Sequence, residues 1–366
     1  MNNLFPSRQL VSYIAPGAPA TRRLARGDEP FLRPEFGFTP RWYHQALGID
    51  FGRQWHTDAA YRRDNLLRMQ AELHRRFPGI PIGQGLVPEG VPDVLTGTFG
   101  ACSIAAIYGV PVLYSKDNWP NCKHQYLTDE QVDNLKPPDL RANPFLQNLF
   151  GQLDWIGCEY GRIVGFINWQ GVLNNAHRLR GEQLFFDMLD NPKRCLRLFD
   201  AICTTMIDAA GLVHQRQKES GFEVGFFTVS NCLVNMVSPA RYRELLIPFD
   251  IKLSEAFGCL GVHNCAWTAD PYLDAYAEIP NVAYIDMGID SDLQRARKLF
   301  AAARRAIMYT PMDLVNKPIP QIRQDLERVA RDYGPCDIVM ADIDHGTPDS
   351  RIHALYAICA ELSEKY

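Results

Sequence analysis

The second half of the chain alternates short apolar runs with longer stretches of helical spacing. Residues 224–229 (VGFFTV), 258–265 (GCLGVHNC), 281–287 (NVAYIDM), 306–312 (AIMYTPM) and 336–342 (CDIVMAD) are mostly continuous apolar runs, the mark of strands buried on both faces. Helical segments separate them at 238–257, 271–277, 292–302, 319–333 and 349–364. The first of these opens on Ser238-Pro239, a side-chain cap followed by proline in the first turn. The first half is less regular. Residues 30–38 (PFLRPEFGF) predict a strand, although Pro34 counts against a regular central one. Residues 58–77 place Leu66, Met69, Leu73 and Phe77 on one helical face and stop at Pro78-Gly79. Strands are expected at 80–87 and 162–168, an extended piece at 110–115, and helices at 98–108, 139–157 and 183–218, the last broken at Asn191-Pro192.

Eight strands alternating with helices predict an α/β protein of the (β/α)8 barrel type, with an open doubly wound sheet as the alternative. No glycine-rich phosphate loop follows any strand, so a nucleotide fold has no support. The expected organisation is a polar lead-in over residues 1–28 and one barrel domain over 29–366. At 366 residues the chain is long for one domain but ordinary for such a barrel.

Composition changes this picture little. A net charge of −4 without a Lys/Arg run argues against a nucleic-acid surface. Neither a basic-then-apolar leader nor a bilayer-length apolar run is present, so a cytoplasmic protein is expected. The ten cysteines include no CxxC pair, and most fall inside apolar patterns, which predicts buried free thiols in a reducing compartment.

The barrel assignment sorts the polar residues, because chemistry in that fold collects where strands end. Asn168, Trp169 and Gln170 follow one expected strand, Asn231 and Cys232 the next, then His263 and Cys265, Asp286, and finally Asp342, Asp344 and His345. His263 and Cys265 are two apart in an extended segment, so their side chains point the same way and can share one ion. Imidazole and thiolate are ligands that zinc favours, and three protein ligands leave a fourth position open for chemistry. A lone His-x-Cys pair is equally compatible with a buried core. The third ligand stays open: His345 or Asp344 is preferred to Cys232, and all three to Cys336, which begins its strand at the opposite end. Asp286 and Asn231 are the candidates to orient a substrate or support a ligand, and an aromatic wall such as Trp169 suits a flat organic group.

Two stretches carry a family resemblance. Residues 238–248 (SPARYRELLIP) and 344–348 (DHGTP) resemble the Ser-Pro helix and the late glycine-rich turn of the uroporphyrinogen decarboxylase superfamily. The His263-x-Cys265 pair is similar to that of its zinc-dependent corrinoid methyltransferase branch, the methylcobamide:coenzyme M methyltransferases and their relatives. The resemblance spans about residue 38 to the end, and implies a (β/α)8 barrel, zinc, and methyl transfer between a corrinoid such as methylcobalamin and a thiol or similar acceptor. It further implies a small-molecule substrate and a corrinoid protein docking at the barrel mouth; a homodimer is allowed but not indicated. Two departures stand out. The branch's third ligand is a cysteine in the late turn, where this chain has Asp344 and His345. The arginine pair with which true decarboxylases hold their substrate's carboxylates is reduced to Arg33 within Arg33-Pro34-Glu35-Phe36-Gly37-Phe38. The competing expectations are therefore a decarboxylase of a tetrapyrrole or other acid, and a non-catalytic corrinoid- or tetrapyrrole-binding relative.

Overall fold

The structure, a computed structural model, describes residues 27, 29–82, 87 and 90–366. The expected lead-in over residues 1–28 lies, apart from residue 27, outside the described residues. Six strands build a parallel sheet: β1 (Leu32–Phe38), β2 (Phe227–Ser230), β3 (Leu260–His263), β4 (Val282–Gly288), β5 (Arg304–Met308) and β6 (Cys336–Ile343). Their spatial order is β1-β6-β5-β4-β3-β2, and each neighbouring pair runs parallel. Every strand expected in the second half is present. The run at 306–312 is displaced towards its N-terminus, because Thr310 caps a new helix that starts at Pro311. Pro34 sits in β1, an edge strand of this sheet, where a missing N–H is tolerated.

Closure into an eight-stranded barrel is not present in the hydrogen-bonded ladder among the described residues. The strand expected at 162–168 forms no ladder, for a local reason. Gly165 adopts φ 117°, and a Cβ there would stand 2.1 Å from an Asp93 carboxylate oxygen. Side chains take over the bonds that a neighbouring strand would make. Gln217 Nε2 donates to the Ile163 and Gly165 carbonyls at 3.2 and 2.8 Å. The Ser220 and Thr96 hydroxyls accept from the Ile163 and Phe166 amides at 2.9 and 3.0 Å. Of the strand expected at 80–87, Ile80–Ile82 show no ladder, and residues 83–86 lie outside the described residues.

The helices follow local chemistry. Asp58 caps Ala59–Arg76 and Asn191 caps Pro192–Glu219, at the expected positions. The helix expected from Asp139 begins instead at Pro144 with Asn143 as its cap. The segment 238–257 divides into Pro239–Leu245 and Ile247–Phe257 around Leu246, two residues before Pro248. Val172–Arg180, which no pattern in the sequence announces, is helical as well.

The two faces of the sheet differ. Leu32, Phe36, Val229, Leu260, Val262, Ile285, Ile307, Ile338 and Met340 alternate onto one face and join the main apolar core beneath the helices. The other face carries a small cluster of Phe226, Tyr284, Ala306 and Val339 together with charged groups. At its N-terminal end Asp337 accepts from Arg33 Nε at 2.5 Å and from Arg304 Nε at 2.6 Å. Arg304 also reaches Glu29 at 2.9 Å, and none of these four side chains is more than 2% exposed. Arg33 is thus held inside an ion network at the end of the sheet remote from His263. Replacing Asp337 by Asn should strand two buried guanidinium groups and cost about 3–5 kcal/mol, read as a lower midpoint in urea unfolding. An unchanged midpoint would contradict this account.

Candidate metal centre

The site lies where β2, β3 and β4 end. The β2–β3 ladder closes with Ser230 opposite His263, and the Asn231 amide extends it by donating to the His263 carbonyl at 2.7 Å. The chain then turns and brings Cys232 back over the end of β3. After His263, Cys265 adopts φ 58°, which folds the following loop across the end of β4. Gly288 permits that crossing, since a Cβ there would lie 2.1 Å from the Ala266 carbonyl oxygen.

Cys232, His263 and Cys265 converge, each offering one donor atom, and the three donors lie within 4.8 Å of one another. The sulfurs of Cys265 and Cys232 are 2.8 Å apart and both thiols are free. The Cys265 sulfur is 3.3 Å from His263 Nε2. His263 is fully buried, whereas both cysteines are partly accessible, so the cluster has a closed back and an open front.

Asp286 forms that back. One carboxylate oxygen meets His263 Nδ1 at 2.6 Å and accepts from the Tyr284 hydroxyl at 3.0 Å; the other accepts from the Asn264 amide at 2.7 Å. Asn264 is fixed in turn, donating to the Asp286 carbonyl and accepting from the Tyr276 hydroxyl at 2.6 Å. A carboxylate on Nδ1 holds the proton there and leaves Nε2 as the donor atom facing the sulfurs. Burial alone would lower the His263 pKa; the Asp286 carboxylate and then the Cys232 sulfur outweigh it and lift it to about 10. The Cys265 thiol donates to Cys232 and, with His263, pulls the Cys232 thiol well below its usual range. The negative sulfur of Cys232 and burial push Cys265 upward. With the Nδ1 proton held by Asp286, Nε2 and the two sulfurs form a set that can give up protons in exchange for a cation.

The other expected residues are placed as follows. Asn231 is buried, and its Nδ2 donates at 3.3 Å to both Tyr242 Oη and Asp250, tying the Cys232 turn to the Pro239–Leu245 and Ile247–Phe257 helices. Asn168 accepts from the Gln170 amide and side chain at 3.0 and 3.1 Å, and Gln170 adopts φ 59°. Asn174 Nδ2 donates to Gln170 while its oxygen accepts from the Leu233 amide at 3.2 Å, which links this turn to the Cys232 loop. Trp169 is buried. Gln170, Asn174, His177, Arg178 and Cys232 help to line a cavity of about 330 Å³ beside the cluster. Asp344 and His345 are exposed on the rim, outside the three-donor group; Asp344 accepts from the His345 amide and from Thr39 Oγ1. Cys336 is buried on the helix-packed face of β6, away from the centre. Sequence reasoning passed over Asn264, because alternation places its side chain opposite those of His263 and Cys265, and His177 and Arg178, because the helix that carries them was not foreseen.

No protein-family model and no curated protein matches the chain. Among solved structures, a methyltransferase from Methanosarcina mazei matches with a TM-score of 0.64 over 92% of this chain and 95% of its own. Identity over that match is 14%, so the likeness is one of fold.

Proposed function

We propose that this protein is a zinc-dependent methyltransferase that moves a methyl group from a corrinoid carrier to a thiol acceptor. The observation that carries the reading is the convergence of Cys232, His263 and Cys265 with Asp286 behind the imidazole. Two sulfurs and one nitrogen, set close enough to share an ion, fit zinc in composition and span, and they leave one position free. When bound there, zinc supplies a cationic fourth site at which an acceptor thiol loses its proton near neutral pH. Cys232 takes the third place that the family resemblance gives to the late turn. The fold-level likeness to a methyltransferase supports the reaction class.

The remaining work falls to the protein. Asp286 fixes the His263 ring and its tautomer. Asn231 and the Tyr242–Asp250 pair hold the turn that delivers Cys232. The cavity beside Cys232 gives the acceptor somewhere to lie. In the transfer, the acceptor sulfur forms the new S–C bond while the donor–methyl bond breaks and its electron pair stays on the donor. We read the fold as a distorted (β/α)8 barrel in which 163–168 lines the wall without joining the ladder, and its mouth as the docking face of the carrier protein. The decarboxylase reading loses ground because Arg33 is committed to Asp337 and Glu29. No helix among the described residues is long and apolar enough to cross a membrane.

Purified protein should contain about one zinc per chain. Cys232→Ala, His263→Ala and Cys265→Ala should each lose it by elemental analysis, while His345→Ala and Asp344→Ala retain it. A wild-type protein that stays metal-free when zinc is offered at neutral pH would sink the proposal. Asp286→Asn should weaken zinc binding about 10–100-fold in a chelator competition, because the ring loses its charged partner. Demethylation of methylcobalamin by 2-mercaptoethanol, followed by absorbance, should stop on chelation and resume with zinc.

A further inference from the structure

Asp342 has no part in the three-donor cluster, yet the backbone is deformed to present it there. Where β6 pairs with β1, Phe36 lies opposite Met340 but Phe38 lies opposite Ile343, so β6 carries one extra residue. Met340 and Ile343 both join the helix-side core, which leaves Ala341 and Asp342 together on the opposite face of the sheet, the face of His263 and Asp286. In a regular strand Asp342 would share the face of Met340. The bulge sets its φ at 62°, strained for a residue other than glycine, and such strain collects where a side chain must be aimed.

The side chain is accessible from the mouth, though protein walls it on several sides. Among the described residues its hydrogen-bond partner is Trp119, whose Nε1 donates from 3.4 Å, a long contact. Restricted hydration raises its pKa, against the pull of Trp119 and of the His263 charge, and its own charge pushes Cys265 upward. Arg41, Asp117 and Asp344 stand on the same rim, with Arg41 within 3.9 Å of both carboxylates. Asp342 is therefore an accessible carboxylate with one long hydrogen bond among the described residues, on the cluster's side of the sheet and near enough to act on Cys265 and His263 through its charge.

We propose that Asp342 is the general base that takes the proton of the acceptor thiol as that thiol enters the metal centre, an assignment that rests on the metal–thiol reading above. The S–H bond breaks, its electron pair stays on sulfur, and the proton passes to an Asp342 oxygen. The sulfur pair then forms the S–C bond, and Asp342 returns its proton to water through the mouth. A carboxylate on the cluster's side of the sheet, accessible and weakly held, fits a proton acceptor better than a structural anchor.

The test is the pH profile of methyl transfer from methylcobalamin to 2-mercaptoethanol by zinc-loaded protein, with thiol binding checked first by calorimetry. The variant Asp342→Asn suits the positive φ, since asparagine adopts that conformation readily. Wild-type turnover should fall as the pH drops and Asp342 takes up a proton, and Asp342→Asn should lack that acid limb, with zinc content unchanged. Methyl-transfer turnover should fall about 10²-fold or more in the variant. The same acid limb in the two proteins overturns the assignment. Loss of zinc in the variant also overturns it, by making Asp342 a ligand. Zinc-loaded wild type that binds no thiol removes the metal–thiol reading and this assignment with it, a failure told apart because it appears before any substitution is made.

Discussion

The hydrogen bond between Asp286 and His263 is the constraint around which the centre is built. It joins adjacent strands and spans 2.6 Å in a region without solvent. An isolated buried imidazole tends towards neutrality and a free tautomer. Here the carboxylate chooses the tautomer, fixes the ring plane and turns Nε2 towards the cysteines. The carboxylate is in turn satisfied by Tyr284 and Asn264, so its burial leaves no charge unanswered. Cys232 and Cys265 then need only local turns to complete the set.

The same face of the sheet hosts two charged clusters of different purpose. The group of Arg33, Arg304, Glu29 and Asp337 at the N-terminal end is closed to solvent, and each of its four side chains has an ionic partner. The group at the C-terminal end has an accessible front and an incomplete donor set. Between them lies the small cluster of Phe226, Tyr284, Ala306 and Val339. That apolar layer separates the two clusters, and the Tyr284 hydroxyl bonds upward, to Asp286. One end of the sheet thus holds the fold together while the other is left to react.

Much of this was legible in the sequence. Continuous apolar runs placed the five later strands, and the two-residue spacing of His263 and Cys265 placed their side chains together. Asp286 was identifiable as a supporting residue by its position at a strand end. The third member of the cluster was not. Cys232 reaches it through a turn set by Asn231, by the two helices that follow and by Asn174, 59 residues before Leu233, and no spacing rule encodes that turn. The strand expected at 162–168 misled for a related reason: its composition is apolar and β-branched, but the conformation of Gly165 and the reach of Gln217 decide its pairing. The bulge that turns Asp342 inward depends on registry with β1, about three hundred residues earlier. Periodicity reports which face a residue occupies only while the ladder stays regular.

The stretch pinned by Gln217, Ser220 and Thr96 has a mechanical corollary. Ladder bonds between strands hold as a row, and parting one loads its neighbours. Contacts from three separate side chains can let go singly, and backbone freed this way has donors and acceptors ready for water. The stretch 163–168 is accordingly held less cooperatively than the six-stranded ladder. It leads directly into Asn168 and Gln170, which tie to the Cys232 loop through Asn174. Any shift of that stretch would therefore be felt at Cys232, the member of the candidate metal centre that comes from outside the His263–Cys265 segment.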